Sequence, residues 1–155
     1  MNSYFSTVNS QLQTDQVTML TRILVVDDDT ETTELLKIIL KPDEYEVVAT
    51  TSGQEAVDLA RNLSPDVMVV DLLMPGMDGM NVCREVRKFS SLPILVLSAI
   101  SKPGIIAQAL DEGADDFLIK PTKNNILIAC LNRLTRRARV EQDYQKVEGN
   151  HYRMV

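Results

Sequence analysis

A chain of 155 residues, 45% hydrophobic and 25% charged, has room for one domain with a substantial core and the composition of a globular protein. Its formal net charge of −6 argues against a nucleic-acid surface on this domain. The N-terminus lacks a basic region followed by an apolar run, no segment is long and apolar enough to span a membrane, and Cys83 and Cys130 stand apart in predicted helices, which together predict a cytoplasmic protein with reduced thiols.

Residues 1–20 are rich in Ser, Thr, Asn and Gln, and Asp15 is their only charge; they read as a flexible extension or a loosely docked helix. Regular structure begins at Thr21. "RILVV" (22–26) predicts a buried strand that runs directly into Asp27, Asp28 and Asp29. Three adjacent carboxylates resist burial, so either they form a solvated loop or a cation belongs beside them. Asp29 reads as the N-cap of a helix, "TETTELLKIILK", and is followed by a strand at "YEVVA" (45–49). Ser52 and Glu55 have capping-box spacing at the head of "SGQEAVDLARNL". A strand at "DVMVV" (66–70) ends on Asp71; "LLMPGMDG" then forms a loop and turn, and Asp78–Gly79 starts the helix "DGMNVCREVRKF". "PILVLS" (93–98), the helix "PGIIAQALDEG" capped at Gly113, "DFLIK" (116–120) and a helix from about Asn124 to Arg139 complete the series. "VEQDYQKVEGNHYRMV" reads as a linker or tail. The expected organisation is an extension over 1–20, one domain over 21–139 and a tail over 140–155.

Strand and helix alternate five times, which predicts an α/β fold with a five-stranded parallel sheet and helices on both faces. Ligands of such sheets bind at the carboxyl ends of the strands. With strand order 2-1-3-4-5, those ends would bring Asp27, Asp28, Asp71, Ser98 and Lys120 into one cleft. Clustered carboxylates without a nearby Cys or His suit a hard cation such as Mg²⁺, and a lone Lys and Ser beside it suit a phosphoryl group. His151, the one histidine, cannot build a metal site alone.

"ILVVDDD", "DVMVVDLLMPGMDG", "VLSA" and "GADDFLIKP", in this order and spacing, resemble the receiver domain of bacterial two-component response regulators over about Arg22 to Arg139. The resemblance implies the flavodoxin-like receiver fold and makes Asp71 the phosphoacceptor, modified from the phosphohistidine of a sensor histidine kinase. It assigns Asp28 and Asp71 as direct Mg²⁺ ligands, Asp27 as a ligand through bound water, and the backbone carbonyl of Leu73 as a further ligand. Lys120 would pair with Asp71 at rest and with the phosphoryl oxygens afterwards. Ser98 would move toward the phosphoryl group and Phe117 would turn inward behind it; simple core packing is the alternative for Phe117. The Lys120–Pro121 bond is expected to be cis. Leu73 and Ile100, two residues past Asp71 and Ser98, are apolar and cannot orient a hydrolytic water, so the phosphorylated state should be long-lived.

"GADDFLIKP" followed by a helix ending "RRAR" resembles the subfamily with winged-helix DNA-binding effectors, which implies a phosphorylation-favoured homodimer through the fourth helix, fifth strand and fifth helix. Ile126 and Ile128 would lie on that face, and Asp115 or Asp116 would pair across it with Arg136 or Arg137. The alternative is that these arginines only complement the helix C-terminus. The fourth helix lacks the basic residues usual in that subfamily. The function read from these features is a signalling switch, not a turnover enzyme, and no nucleic acid or membrane is bound by the domain itself. Its output would be transcription control through an effector outside this chain, or protein–protein contact by a stand-alone receiver. A haloacid-dehalogenase-type phosphatase is the rival, but Glu31 stands where that motif requires Thr or Val, and Asp71 would be left unexplained.

Overall fold

The computed structural model describes residues 19–42 and 44–151. Most of the expected N-terminal extension, and the last four residues of the tail, lie outside them. In chain order the elements are β1 (Thr21–Val26), α1 (Thr30–Ile39), β2 (Tyr45–Thr50), α2 (Gly53–Leu63), β3 (Val67–Val70), α3 (Gly79–Arg87), β4 (Ile94–Ser98), α4 (Pro103–Asp111), β5 (Asp116–Ile119) and α5 (Asn124–His151). The strands form one sheet in the order β2-β1-β3-β4-β5, and every neighbouring pair is parallel. The predicted topology is the observed one.

The continuous apolar runs arise because the central strands are covered on both faces. Alternate residues of β1, β3 and β4 point to opposite sides. Leu24, Val26, Met68, Val70, Ile94 and Val96 pack with Ala56 and Val57 of α2, Val82 and Val86 of α3 and Ala109 of α4. Ile23, Val25, Val67, Val69, Leu95 and Leu97 pack with Leu36 of α1 and Leu127, Cys130, Leu131 and Leu134 of α5. Each fully buried Val or Leu contributes about 1.5–3 kcal/mol. Both cysteines are free and buried, and burial pushes the Cys83 thiol up to about 12.

The helix starts follow the expected caps, with one difference. Asp29 caps α1, its Oδ1 accepting from the Glu31 N–H at 3.0 Å and its Oδ2 from the Thr32 hydroxyl at 2.8 Å; these two bonds, the hydroxyl's first, lower its pKa. Asp78 caps α3 by accepting from the Asn81 N–H at 2.9 Å. Ser52 Oγ accepts from the Glu55 N–H at 3.2 Å, but Glu55 does not complete the capping box. Its carboxylate accepts instead from the Thr50 hydroxyl, whose oxygen accepts the Ser52 N–H at 3.1 Å. Thr50 is thus interposed in the reciprocal bond.

The larger correction concerns α5. Its expected end at Arg139 is not a terminus, because the helix continues to His151. Residues 140–148 contain neither Gly nor Pro to stop it, several are good helix formers, and Arg137 pairs with Glu141 one turn on, at 3.4 Å. The part of the tail read as a linker up to His151 is therefore helical. Among the described residues, no helix is long and apolar enough to cross a membrane.

Candidate functional site

Parallel register brings the strand ends to one edge. Val26 is level with Val70, and Val70 with Val96, so the residues that follow β1 and β3 emerge side by side. The Asp71 N–H donates to the Val26 carbonyl at 2.9 Å, which fixes the base of the acidic loop. On the other side, the Lys120 N–H donates to the Ser98 carbonyl at 2.9 Å. The Lys120–Pro121 peptide is cis, as expected.

The three predicted ligands converge: Asp27, Asp28 and Asp71 each offer a carboxylate oxygen within 4.8 Å of the others. Asp27 is 3% exposed and Asp71 8%, whereas Asp28 faces solvent. Asp27 Oδ1 accepts from the Asp29 N–H at 2.9 Å, and Asp71 Oδ1 from the Leu73 N–H at 3.1 Å. Lys120 Nζ bridges the other two oxygens, at 2.7 Å from Asp27 Oδ2 and 3.2 Å from Asp71 Oδ2. The expected rest-state pair with Asp71 is therefore shared, and its tighter half belongs to Asp27. Burial by itself lowers the Lys120 pKa, but the hydrogen bond and charge of Asp27, then those of Asp71, outweigh it and leave the pKa raised.

One ammonium among three carboxylates leaves two negative charges uncompensated, and the donor set is oxygen alone. Those properties fit a hard divalent cation that takes oxygen ligands. The three acids of the triplet therefore differ in setting: Asp27 is buried and bonded, Asp28 is exposed beside it in the carboxylate cluster, and Asp29 caps a helix.

Ser98 is fully buried at the adjacent strand end, its Oγ accepting from the Ile100 N–H at a long 3.4 Å. Phe117 and Ile100 are half-buried and pack against the cluster on the α2–α4 side. Leu73 turns its side chain outward, 56% exposed.

The residues expected at a dimer face have partners within the chain. Asp115 holds Arg87 at 2.9 Å and the Ile94 N–H at 2.8 Å; Asp116 holds Arg133 and accepts from the Cys130 thiol at 3.2 Å. Neither acid reaches Arg136 or Arg137 of its own chain, and Arg137 leans on Glu141. The two isoleucines differ. Ile126 is 48% exposed, but Ile128 packs against the core cluster that contains Leu36 of α1, so it is not on the open flank of α5.

Two residues matter more than the sequence suggested. Gly79 was read as part of a turn, yet a Cβ there would overlap the carbonyl oxygen of Asp71 and lie 2.8 Å from Leu72 Cα. It is a positioning residue, since its missing side chain lets α3 start against the backbone of the central acid. Arg87 ties β4 to β5 from α3, donating to the carbonyls of Gly113 at 3.0 Å and Leu92 at 2.6 Å as well as to Asp115. An Asp-Gly pair signals a helix start from sequence, but close approach by a strand 8 residues earlier leaves no local signal.

Residues 23–132 match the family described as the response regulator receiver domain. The chain is 39% identical over 120 residues to the DNA-binding response regulator MtrA of Mycobacterium tuberculosis, a match covering 77% of this chain and 53% of that protein. MtrA of Mycobacterium leprae is likewise 39% identical, over 119 residues, with the same coverage of each. The chain spans about half the length of the curated relatives it matches. Among solved structures, the receiver domain of Francisella response regulator 1452 superposes with TM-score 0.72 at 30% identity, covering 76% of this chain and 98% of that one. The BeF3-activated N-terminal receiver domain of Klebsiella pneumoniae RstA gives 0.71 at 30% identity, with 74% and 98% covered. Strand order, the acidic cluster at the sheet edge and the matched residues agree: the chain belongs to the response regulator receiver domain family.

Proposed function

We propose that Asp71 accepts a phosphoryl group from the phosphohistidine of a sensor histidine kinase, and that the resulting acyl phosphate switches a surface of this domain. The observation that carries this reading is the setting of Asp71. It is nearly buried, one oxygen bonded to the Leu73 N–H and the other to Lys120, with two further carboxylates within 4.8 Å. In the transfer an Asp71 oxygen forms the new P–O bond, the P–N bond to the kinase imidazole breaks, and the imidazole keeps the electron pair. Asp28 and Asp71 would hold Mg²⁺, with Asp27 acting through water and Leu73 through its carbonyl; when bound, the ion supplies charge neutralisation at the phosphoryl oxygens.

Lys120 loses little by moving from Asp71 to a phosphoryl oxygen, because its tighter contact is to Asp27. Ser98 accepts only a long bond from Ile100, so its hydroxyl is available to the phosphoryl group, and Phe117 takes the space it vacates. Apolar Leu73 and Ile100 leave no side chain to orient a hydrolytic water, which favours a long-lived phosphorylated state.

The proposed output is a homodimer through α4, β5 and α5, with Ile126 at its open flank. Asp115 and Asp116 would exchange Arg87 and Arg133 for, or share them with, Arg136 and Arg137 of the second copy. The relatives named DNA-binding response regulators support transcription control as the downstream effect, exerted in the cytoplasm through an effector outside this chain. Acetyl phosphate with Mg²⁺ should label one site; mass spectrometry is expected to find it on Asp71, and label persisting in Asp71→Asn overturns the assignment.

A further inference from the structure

The groups that would hold the metal sit on two loops, residues 27–29 after β1 and residues 71–78 after β3. Both loops meet a third stretch that carries no ligand, the turn from β2 into α2. On the β1 side, Val26 is level with Thr50, and the Asp27 N–H donates to the Thr50 carbonyl at 3.2 Å. The backbone of Asp27 thus hangs on Thr50. On the β3 side, Gly53, the first residue of α2, is buried against Met77. A Cβ on Gly53 would lie 2.5 Å from the Met77 carbonyl oxygen and 3.0 Å from the Met77 Cβ, closer than real side chains come. Only glycine lets helix and loop meet there. Met77 stands four residues beyond Leu73, so α2 presses on the loop that bears the Leu73 carbonyl, as Gly79 of α3 does at Asp71 and Leu72.

Side chains stiffen the turn between these two contacts. The buried Thr50 hydroxyl accepts from the Ser52 N–H at 3.1 Å and donates to the Glu55 carboxylate, one helical turn into α2. Those bonds fix where Gly53 stands relative to Thr50, and with it the spacing of the two loops. We infer that Thr50 and Gly53 are positioning residues for the metal site. They set the separation of Asp27 and Asp28 on one loop from Asp71 and the Leu73 carbonyl on the other, and so the affinity for Mg²⁺, without touching the ion or the phosphoryl group. Mg²⁺ requires near-octahedral oxygen ligands at about 2.0–2.1 Å, so a small shift of one loop against the other is felt as lost affinity. The inference rests on the metal reading above, which it deepens by naming what tunes the site. Ser52 provides the contrast: its side chain caps α2 through the Glu55 N–H and bonds to neither loop.

Titration of the full chain with Mg²⁺, followed by amide chemical shifts, tests this apart from any phosphorylation. Gly53→Ala and Thr50→Val should each raise the Kd for Mg²⁺ by roughly tenfold, the scale of losses at residues that support metal ligands. Thr50→Ser, which keeps the hydroxyl, should restore the native value, and Ser52→Ala should leave it unchanged. Labelling of Asp71 by acetyl phosphate should be slowed in Gly53→Ala and Thr50→Val at low Mg²⁺ and recover as Mg²⁺ saturates. The same amide spectra show whether each variant is folded; should Gly53→Ala unfold, Thr50→Val against Thr50→Ser decides. Native Mg²⁺ affinity in folded Gly53→Ala and Thr50→Val overturns the inference while leaving the metal site standing. So does an equal loss in Ser52→Ala, which would trace the effect to helix stability. A native chain whose amides do not respond to Mg²⁺ overturns the metal reading itself.

Discussion

Body and mouth of the same strands are built on opposite terms. In the body, Ile23 to Val26, Val67 to Val70 and Ile94 to Leu97 are at most 5% exposed and belong to the two apolar core clusters. One residue further along, β1 and β3 deliver Asp27 and Asp71, which burial penalises and which share one lysine. The body supplies stability and loses it with any change of volume; the mouth carries like charge that works against folding. Stability and activity should therefore separate when the two are substituted independently.

The largest expected effect is at the mouth. Asp28→Ala and Asp71→Asn should each abolish labelling by acetyl phosphate, and neither should lower the thermal midpoint measured without Mg²⁺, because each removes one of three repelling charges. A large loss of stability in either would erase the contrast. The body should give the converse: Leu95→Ala, at a fully buried position, should cost about 2–5 kcal/mol in denaturant unfolding yet still be labelled at Asp71. Gly79→Ala tests the boundary between them. Its methyl must displace the backbone of Asp71 and Leu72, so a stability loss of about 1–3 kcal/mol should come with slower labelling. Ser52→Ala, which removes only the α2 cap, should cost about 1 kcal/mol and leave labelling unchanged.

The smallest effect is electrostatic. The hydrogen bond from Arg84 holds the Glu112 carboxyl below its usual range. A lowered carboxyl contributes stability above its unfolded pKa of 4.5 and loses it as pH falls through the lowered value. Glu112→Gln should remove a shallow acid-side slope from the pH–stability profile, visible only at low salt because the pair is exposed.

Much of this was legible in the sequence, and the misses share a cause. The strand order and the convergence of Asp27, Asp28, Asp71, Ser98 and Lys120 follow from alternation and from what ends each strand, both local in the chain. Side-chain partners across elements are not local. Asp115 meets Arg87, 28 residues away on α3, and Lys120 comes closer to Asp27, 93 residues away, than to Asp71. Ile126 and Ile128 lie roughly 100° to either side of the middle of the buried arc of α5, so a helical wheel ranks them alike. Only the packing of Ile128 against the α1-side cluster separates them. The arginine cluster read as a helix end because positive charge suits a C-terminus, whereas α5 has no stop signal there.

The length of α5 gives the domain a mechanical property. Leu127, Cys130, Leu131 and Leu134 clamp its first turns to the sheet, and residues 140–151 extend beyond that clamp. Twelve residues of helix reach about 18 Å, so each degree of tilt at the clamp carries the tip about 0.3 Å. Repacking at the sheet edge too slight to alter the core would therefore swing the far end of this helix through a distance that a docking surface can register.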